Sequence, residues 1–549
     1  MQTEGFIASH LSGTKSNTES KWALRLENGD WIIDDDDYYF GDNIKETSRS
    51  KNESQKSNQP ERIQHDDNQQ IRTYFATCIP GLHNTLASEL SSLGASRVET
   101  KGNSGVSFSG SSEIGLKSIL WCRTAHRIME LVASTDDDDY YNYGIRDGNE
   151  LYEYVKSSLH TPSLLGNGSG GLLTLSVSTI YTSKVPKELC HTHYTALTVK
   201  NALVDAVRDL REDGMRPDVD TADADVPIVV VLRGRRLYNH GRERYKDFDR
   251  KNEGSNSNRF EQDEELLADV DIYRCLHSGG SLHRRGYRGS SNVDDDCDDS
   301  TPIHRAAMKE SLAAGLLLEA GWDKLIAATK TDNYCAVLVD PMTGSATLPT
   351  EAALIACDMA PGLSRIASYN GKQPNPHRIP PSVRWKDFSS IEVWNELLAE
   401  AASRAKRGVA WARNDNVSIF CNEKNPRAAA LARSSIKKSG VGSIISLEEG
   451  DCLDWKLDNK VVEGRTIFVC NPPWGIRLTQ DIDDSWVSLR EFLRREGNGA
   501  EAWVLSGNKD LTKILRMKKS QTVVLKTAEE DLRWLQYHIF QREPAPLTE

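Results

Sequence analysis

Along most of the chain apolar residues recur at regular intervals, and the interval changes from segment to segment. A short apolar alternation at Thr73–Thr77 breaks at Pro80-Gly81 and gives way to apolar positions at helical spacing, predicting a strand, a turn and an amphipathic helix. "GVSFSG" (Gly105–Gly110) reads as a strand, and "IGLKSILWCRTAHRIMELVAS" as a helix running into another strand. Together they make a small α+β unit, followed by an acidic run that reads as a surface insertion. A second unit runs from about Leu151 to Arg288. In it "LLTLSVSTI" is a strand, His193–Glu212 a helix, and "PIVVVLRGRRLYNHG" a strand entering a basic turn. Arg242–Glu265 reads as a polar loop, and "DIYRCLHSGGSLHRRGYRG" as a closing strand with a basic linker. From Ala306 onward helices alternate with short apolar strands, which predicts a doubly wound α/β sheet. Residues 1–70 show no sustained period and are rich in Ser, Asn, Asp, Glu and Lys; they read as disordered apart from a hairpin-like "KWALRLENGDWII".

Composition narrows the class. The 549 residues leave room for two to four domains, and 38% hydrophobic with 27% charged residues fit a globular chain. The richest apolar run, Ser311–Trp322, contains Glu319 and falls short of the ~20 residues a bilayer span needs, so it reads as a buried helix and no membrane partner is expected. The N-terminus lacks an apolar secretory core and is acidic for a transit peptide, which points to an intracellular, cytoplasmic protein. Ten cysteines without a C-x-x-C pair read as reduced thiols. His191 and His193 have no partners at zinc spacing, so no metal is expected. The net charge of −12 argues weakly against a nucleic-acid partner until its distribution is considered. Residues 1–70 carry −6, Asp136–Asp139 −4 and Asp294–Asp299 −5, so without them the body of the chain stands at +3.

The candidate chemistry lies at strand ends. "YCAVLVD" runs into "PMTGSATLPTEAALIACDMA", a strand, a glycine-containing turn and a helix from about Leu348; such a turn brings backbone N–H groups and a positive helix end against a nucleotide-like ligand. "VSIFCNE" ends in Glu423, a candidate acceptor for ribose hydroxyls, 79 residues after Gly344, so the interval between them must contain an excursion. "SIISLEEGD" ends in Asp451, a candidate acceptor for an adenine amino group. "TIFVC" delivers Asn471-Pro472-Pro473-Trp474. Each acid alone is equally well an ordinary turn residue. Four consecutive strands bringing Asp340, Glu423, Asp451 and Asn471 to one rim describe a pocket.

Asn-Pro-Pro-Trp suits an exocyclic amine. The lone pair of such an amine is delocalised into its ring, which makes it a poor nucleophile. A side-chain oxygen from Asn471 and a proline-flanked carbonyl can both accept its N–H bonds and localise that pair. The prolines free the backbone from the ladder and fix φ near −65°. Trp474 offers a flat face for a base taken out of its stack. No general base is evident, and the amine becomes acidic as it gains a methyl group.

These motifs resemble a known family. Asn-Pro-Pro-aromatic is the signature of S-adenosylmethionine-dependent amino methyltransferases. "VDPMTGSATLPTEAALIACDMAPGL", "LHRRGYR", "MKESLAAGLL", "HYTALTVKNALVDA" and "FATCIPGLHNTLASELSSLGA" resemble, in order over about residues 72–541, the RlmL/K-type methyltransferases of large-subunit ribosomal RNA. The resemblance implies a ferredoxin-like unit (71–150), an RNA-binding THUMP domain (151–288) and a class I, Rossmann-like methyltransferase domain with a seven-stranded sheet (300–541). It implies that Asp340, Met342, Thr343, Gly344 and Ser345 hold the methionine end of S-adenosylmethionine, Glu423 its ribose and Asp451 its adenine. Asn471, Pro472, Pro473 and Trp474 would hold the target base. The sequence departs from the family at three points: Ala346 stands for the loop's second glycine and narrows the cofactor's approach, Thr343 for a cysteine, and Trp474 for a tyrosine. Fused bacterial members carry a second methyltransferase domain; the chain ends at 549, which implies the guanine-N2 activity alone.

The expectation is therefore guanine-N2 methylation of ribosomal RNA. The alternatives are the same chemistry on tRNA and a non-catalytic RNA-binding assembly factor. DNA adenine methylation shares the four-residue motif, but the sequence shows no DNA-reading helix pair. Arg235 and Arg236, with Arg284, Arg285 and Arg288, are the candidate phosphate contacts, in basic segments interleaved with aromatics.

Overall fold

The computed structural model describes residues 24–27, 30–33 and 70–540, apart from 139–140, 142, 168–169, 238–264, 279–280, 289–307, 333, 368–378, 458–460, 463, 475–481 and 528–530. The expected disorder of the tail, the polar loop Arg242–Glu265 except its last residue, and the aspartate run 294–299 lie outside the described residues. Within the tail, β1 (Leu24–Glu27) and β2 (Asp30–Ile33) do pair as an antiparallel hairpin.

The first large sheet is built from both N-terminal units. Its strands are β3 (Arg72–Thr77), β4 (Ser96–Lys101), β5 (Gly105–Gly110), β6 (Arg127–Ser134), β7 (Leu175–Tyr181), β8 (Val226–Leu237) and β9 (Glu265–Cys275). They run in the order β4-β5-β3-β6-β9-β8-β7. The first four, with helices His83–Ser92 and Ser112–Trp121, form a β-α-β-β-α-β unit of ferredoxin-like order. β4 is absent from the sequence reading because its "SRVETK" is an edge strand with one half-buried residue and no apolar alternation. β6 pairs antiparallel with β9, so the two units that composition separates share one continuous sheet. β8 extends through Arg235 and Arg236, which stand on a strand rather than in the expected basic turn.

The second sheet also has seven strands: β10 (Ala336–Asp340), β11 (Val417–Glu423), β12 (Ile445–Glu449), β13 (Thr466–Cys470), β14 (Glu501–Ser506), β15 (Lys519–Lys526) and β16 (Asp531–His538), in the order β12-β11-β10-β13-β14-β16-β15. β10 and β13 are buried at every residue, which is why "AVLVD" and "TIFVC" are continuous apolar runs without alternation. Helix Thr347–Ala356 is buried at all ten positions, and helix Glu310–Glu319 over most of its length.

The excursion between β10 and β11 docks this domain onto the first sheet. Arg274 on β9, 1% exposed, pairs with Glu130 on β6 at 2.7 Å and with Asp387 of the excursion at 2.9 Å. Its guanidinium lies 4.2 Å from the centroid of Trp385. Arg72 on β3 adds a second bond to Glu130 at 2.6 Å. Deeper in the junction, Arg123 donates to the carbonyl of Met359 at 2.9 Å, and Tyr287 donates to Glu351 at 3.0 Å. Arg285 is fully buried and donates to the carbonyls of Leu282 and Arg123. Arg285 is therefore an interior strut, which corrects its expected role as a phosphate contact. Arg288, only partly exposed, is likewise tied to Glu310 at 2.6 Å.

Glu130 holds two buried guanidiniums, so Glu130→Ala should cost about 3–5 kcal/mol, the range seen when one partner of a buried pair is removed. Denaturant unfolding would check this; a loss below about 1 kcal/mol would show that water or a neighbour replaces the carboxylate.

Candidate functional site

Register sets the site. Asp340 pairs with Cys421, so Glu423 lies two residues beyond it on β11. Val339 pairs with Phe468, so Asp340 is level with Val469, and Asn471 also lies two residues beyond. Asp451 follows Glu449, the register partner of Glu423, by two. At ~3.3 Å per residue these groups sit within about 7 Å of one level along the strands. The four strands are adjacent and parallel, so their carboxyl ends open on one rim, where open α/β sheets bind ligands.

The rim loops are bonded to one another. The Gly344 N–H donates to Glu423 Oε2 at 2.8 Å, and the Asn425 N–H to Oε1 at 2.8 Å. The Gly450 N–H donates to the Glu423 carbonyl at 3.2 Å. Asn422, 2% exposed, ties the ends of three strands: its Nδ2 donates to the carbonyls of Pro341 at 3.3 Å and Gly450 at 2.9 Å, while its carbonyl accepts the Thr343 N–H at 2.9 Å. The sequence reading misses Asn422; the available signal is a polar side chain in an otherwise apolar buried strand, directly before the acid.

Gly344 adopts φ +59°, and a Cβ built on it meets nothing within 4 Å, so the loop borders open space. Ala346 shares the left-handed conformation at φ 59° and precedes helix Thr347–Ala356. It is fully buried, so its methyl does not face the cradle, which corrects the expected narrowing. Its effect is strain in the backbone.

Electrostatics favour a cation. Asp340 is 1% exposed and accepts the Met342 N–H at 3.3 Å; burial, with a smaller push from Glu423, raises its carboxyl to about 7. Among the described residues it has no ion-pair partner. Burial also raises Glu423 against the N–H bonds it accepts. Burial pushes Asp451 upward too, but its bond from Lys424 at 2.8 Å holds it below the usual carboxylate range. An under-neutralised buried carboxyl, an acid beside an open glycine turn and a third acid just beyond the neighbouring strand fit a cofactor with a cationic amino-acid end, a ribose and a base. No cluster of metal-ligating residues occurs among the described residues.

The fourth strand delivers the base-binding motif. Asn471, Pro473 and Trp474 are half-buried and Pro472 is buried. The Trp474 ring packs partly against both hydrophobic cores, and its Nε1–H donates to Asn471 Oδ1 at 3.0 Å. Trp486 and Gly507, both beside this turn, escape the sequence reading. A core tryptophan and a turn glycine carry no signal until the fold brings them there.

Three matches to known proteins fit this geometry. Residues 301–536 match the family described as RMKL-like, methyltransferase domain; residues 73–129 match the RlmL ferredoxin-like domain, and 171–238 the THUMP domain. Residues 301–536 are thus similar to RMKL-like methyltransferase domains. It is 28% identical over 455 residues to "Ribosomal RNA large subunit methyltransferase K/L" of Photobacterium profundum, covering 82% of this chain and 50% of the relative. It is 30% identical to the protein of the same name from Aeromonas salmonicida, covering 82% and 52%. The chain thus spans about half the length of the curated relatives it matches. A structure described as a possible methylase from Clostridium difficile 630 superposes with a TM-score of 0.62 at 21% identity, covering 87% of this chain and all of that one; it shares the fold. In this structure, as in the sequence reading, the motif residues converge on one rim, whereas the five arginines do not. Arg236 and Arg284 are exposed, Arg235 pairs with Asp269 at 3.3 Å, and Arg285 and Arg288 belong to the junction. The neighbouring Arg233 pairs with Asp136, so the first acidic run counters the basic strand.

Ala346→Gly should raise stability by about 1 kcal/mol by removing a left-handed alanine; an unchanged denaturation midpoint would show that the methyl's packing offsets the strain. Asp340 gives a pH signature. Its folded value lies above the unfolded one, so its contribution favours folding fully below about pH 4 and is lost as pH rises through 7. In ligand-free protein, Asp340→Asn should therefore raise the melting temperature more at pH 8 than at pH 5, and equal shifts would contradict the assignment.

Proposed function

We propose that this chain transfers a methyl group from S-adenosylmethionine to the N2 amine of a guanine in large-subunit ribosomal RNA. The observation that carries the reading is the delivery of Asp340, Glu423, Asp451 and the Asn-Pro-Pro-Trp turn to one rim of one parallel sheet. Support comes from the family of the catalytic domain, from the THUMP domain docked against it, and from the printed names of the relatives. Bound S-adenosylmethionine would supply a sulfonium methyl group. Asp340 would accept the cofactor's ammonium, the loop from Met342 to Ser345 would close on its methionine end, Glu423 would hold the ribose hydroxyls, and Asp451 would accept the adenine amino group.

The chain's own residues then act on the guanine. Asn471 and a carbonyl of the proline pair accept the N–H bonds of the amine, which turns its lone pair out of the ring. Trp474 stacks on the base. The proton released as nitrogen gains the methyl passes to solvent, so alignment rather than a general base sets the rate. The sheet of residues 70–288 would hold the RNA, with Arg236 and Arg284 as exposed phosphate contacts. The substrate places this activity in a ribosome-containing compartment.

Incubation with labelled S-adenosylmethionine and unmodified ribosomal RNA should label the RNA at guanine, and Asn471→Ala should reduce the rate by at least about a hundredfold. Label appearing in tRNA instead would move the substrate, and an unaffected Asn471→Ala would remove the assigned role.

A further inference from the structure

Two indole N–H groups divide the acceptors of the catalytic turn. Trp486, fully buried on helix Ile482–Glu496, donates to the carbonyl of Pro473 at 2.7 Å. Trp474 donates to Asn471 Oδ1 at 3.0 Å. An indole N–H is a donor only, so it can bond the oxygen end of a side-chain amide and never the NH2 end. The orientation of Asn471 is thereby set by chemistry: a flipped amide would turn donor against donor and leave both unpaired. The oxygen keeps a second lone pair.

The tryptophan that does this is itself held. Its ring lies against Gly507, just beyond β14, where a Cβ would stand 2.7 Å from Trp474 Cε3. No other residue leaves room for the ring in this place. Tyrosine at 474 would carry its hydroxyl at the far end of the ring, where it could not reproduce the indole's bond. Among the described residues no donor reaches the Pro472 carbonyl.

We propose that Trp474 and Trp486 are positioning residues that select which acceptors the incoming amine meets. Trp486 withdraws the Pro473 carbonyl. Trp474 locks the oxygen end of Asn471, and Gly507 gives Trp474 the space to do so. The amine is left with two acceptors, the second lone pair of Asn471 Oδ1 and the Pro472 carbonyl. Trp474 thus has a role beyond stacking, one that its N–H carries and its ring face does not. The inference rests on the proposed methyl transfer.

The test separates the N–H from the ring. Trp474→Phe keeps a stacking face and deletes the donor; Trp486→Phe does the same at the second bond. Each should lower kcat for methylation of unmodified ribosomal RNA about tenfold or more, while KM for RNA and the calorimetric Kd for S-adenosylmethionine stay within about threefold. Gly507→Ala, which displaces the ring but keeps its N–H, should lower kcat in the same way. Should Trp486→Phe melt, Trp474→Phe and Gly507→Ala decide. A Trp474→Phe enzyme with normal kcat and a raised KM for RNA would show that the ring only stacks, and would overturn the inference alone. Wild-type protein that labels no RNA would refute the proposed function and the inference with it.

Discussion

In-register parallel pairing of β12, β11, β10 and β13 forces the chain to leave the sheet four times at nearly the same height. At each exit the ladder ends, and backbone groups there need other partners. The Glu423 carboxylate takes the N–H groups of Gly344 and Asn425, and Asn422 takes the carbonyls of Pro341 and Gly450. The polar side chains that finish the strands are therefore also the ones a ligand would meet. Structure and site share the same atoms, and rim geometry is fixed before any ligand arrives.

The second constraint is the junction. Arg72, Glu130 and Arg274, all shielded from water, and the partly exposed Asp387 bridge β3, β6 and β9 to the excursion of the catalytic domain. Such networks contribute modestly to net stability, since desolvating the ions offsets much of their attraction. Their directional bonds do fix how two bodies meet, and the stacking of Arg274 on Trp385 adds a plane to that orientation. The long interval before Glu423, which reads only as an interruption of a nucleotide-binding pattern, supplies the docking residues Trp385 and Asp387.

Legibility in the sequence follows the physics of each element. "AVLVD" and "TIFVC" are readable because strands buried on both faces must be apolar throughout, and their polar terminal residues then stand out. "SRVETK" is not readable, because an exposed edge strand needs no apolar face. The rim residues Asp340, Glu423, Asp451 and Asn471 are found from strand ends alone. Asn422, Trp486 and Gly507 are not, since their roles depend on which loop the fold sets beside them. The arginines of "HRRGYR" mislead for a related reason: charge in a sequence says nothing of burial, and Arg285 is spent on interior carbonyls.

The pairing of β6 with β9 has a consequence for dissection of the molecule. More than a hundred positions separate these neighbours, so a fragment ending near residue 150 would carry β6 with an entire row of amides and carbonyls uncovered. Such a margin invites another chain to pair with it. Excised along the boundary that composition implies, the leading piece would be prone to stick to itself, and the shortest well-behaved excerpt has to reach past Cys275.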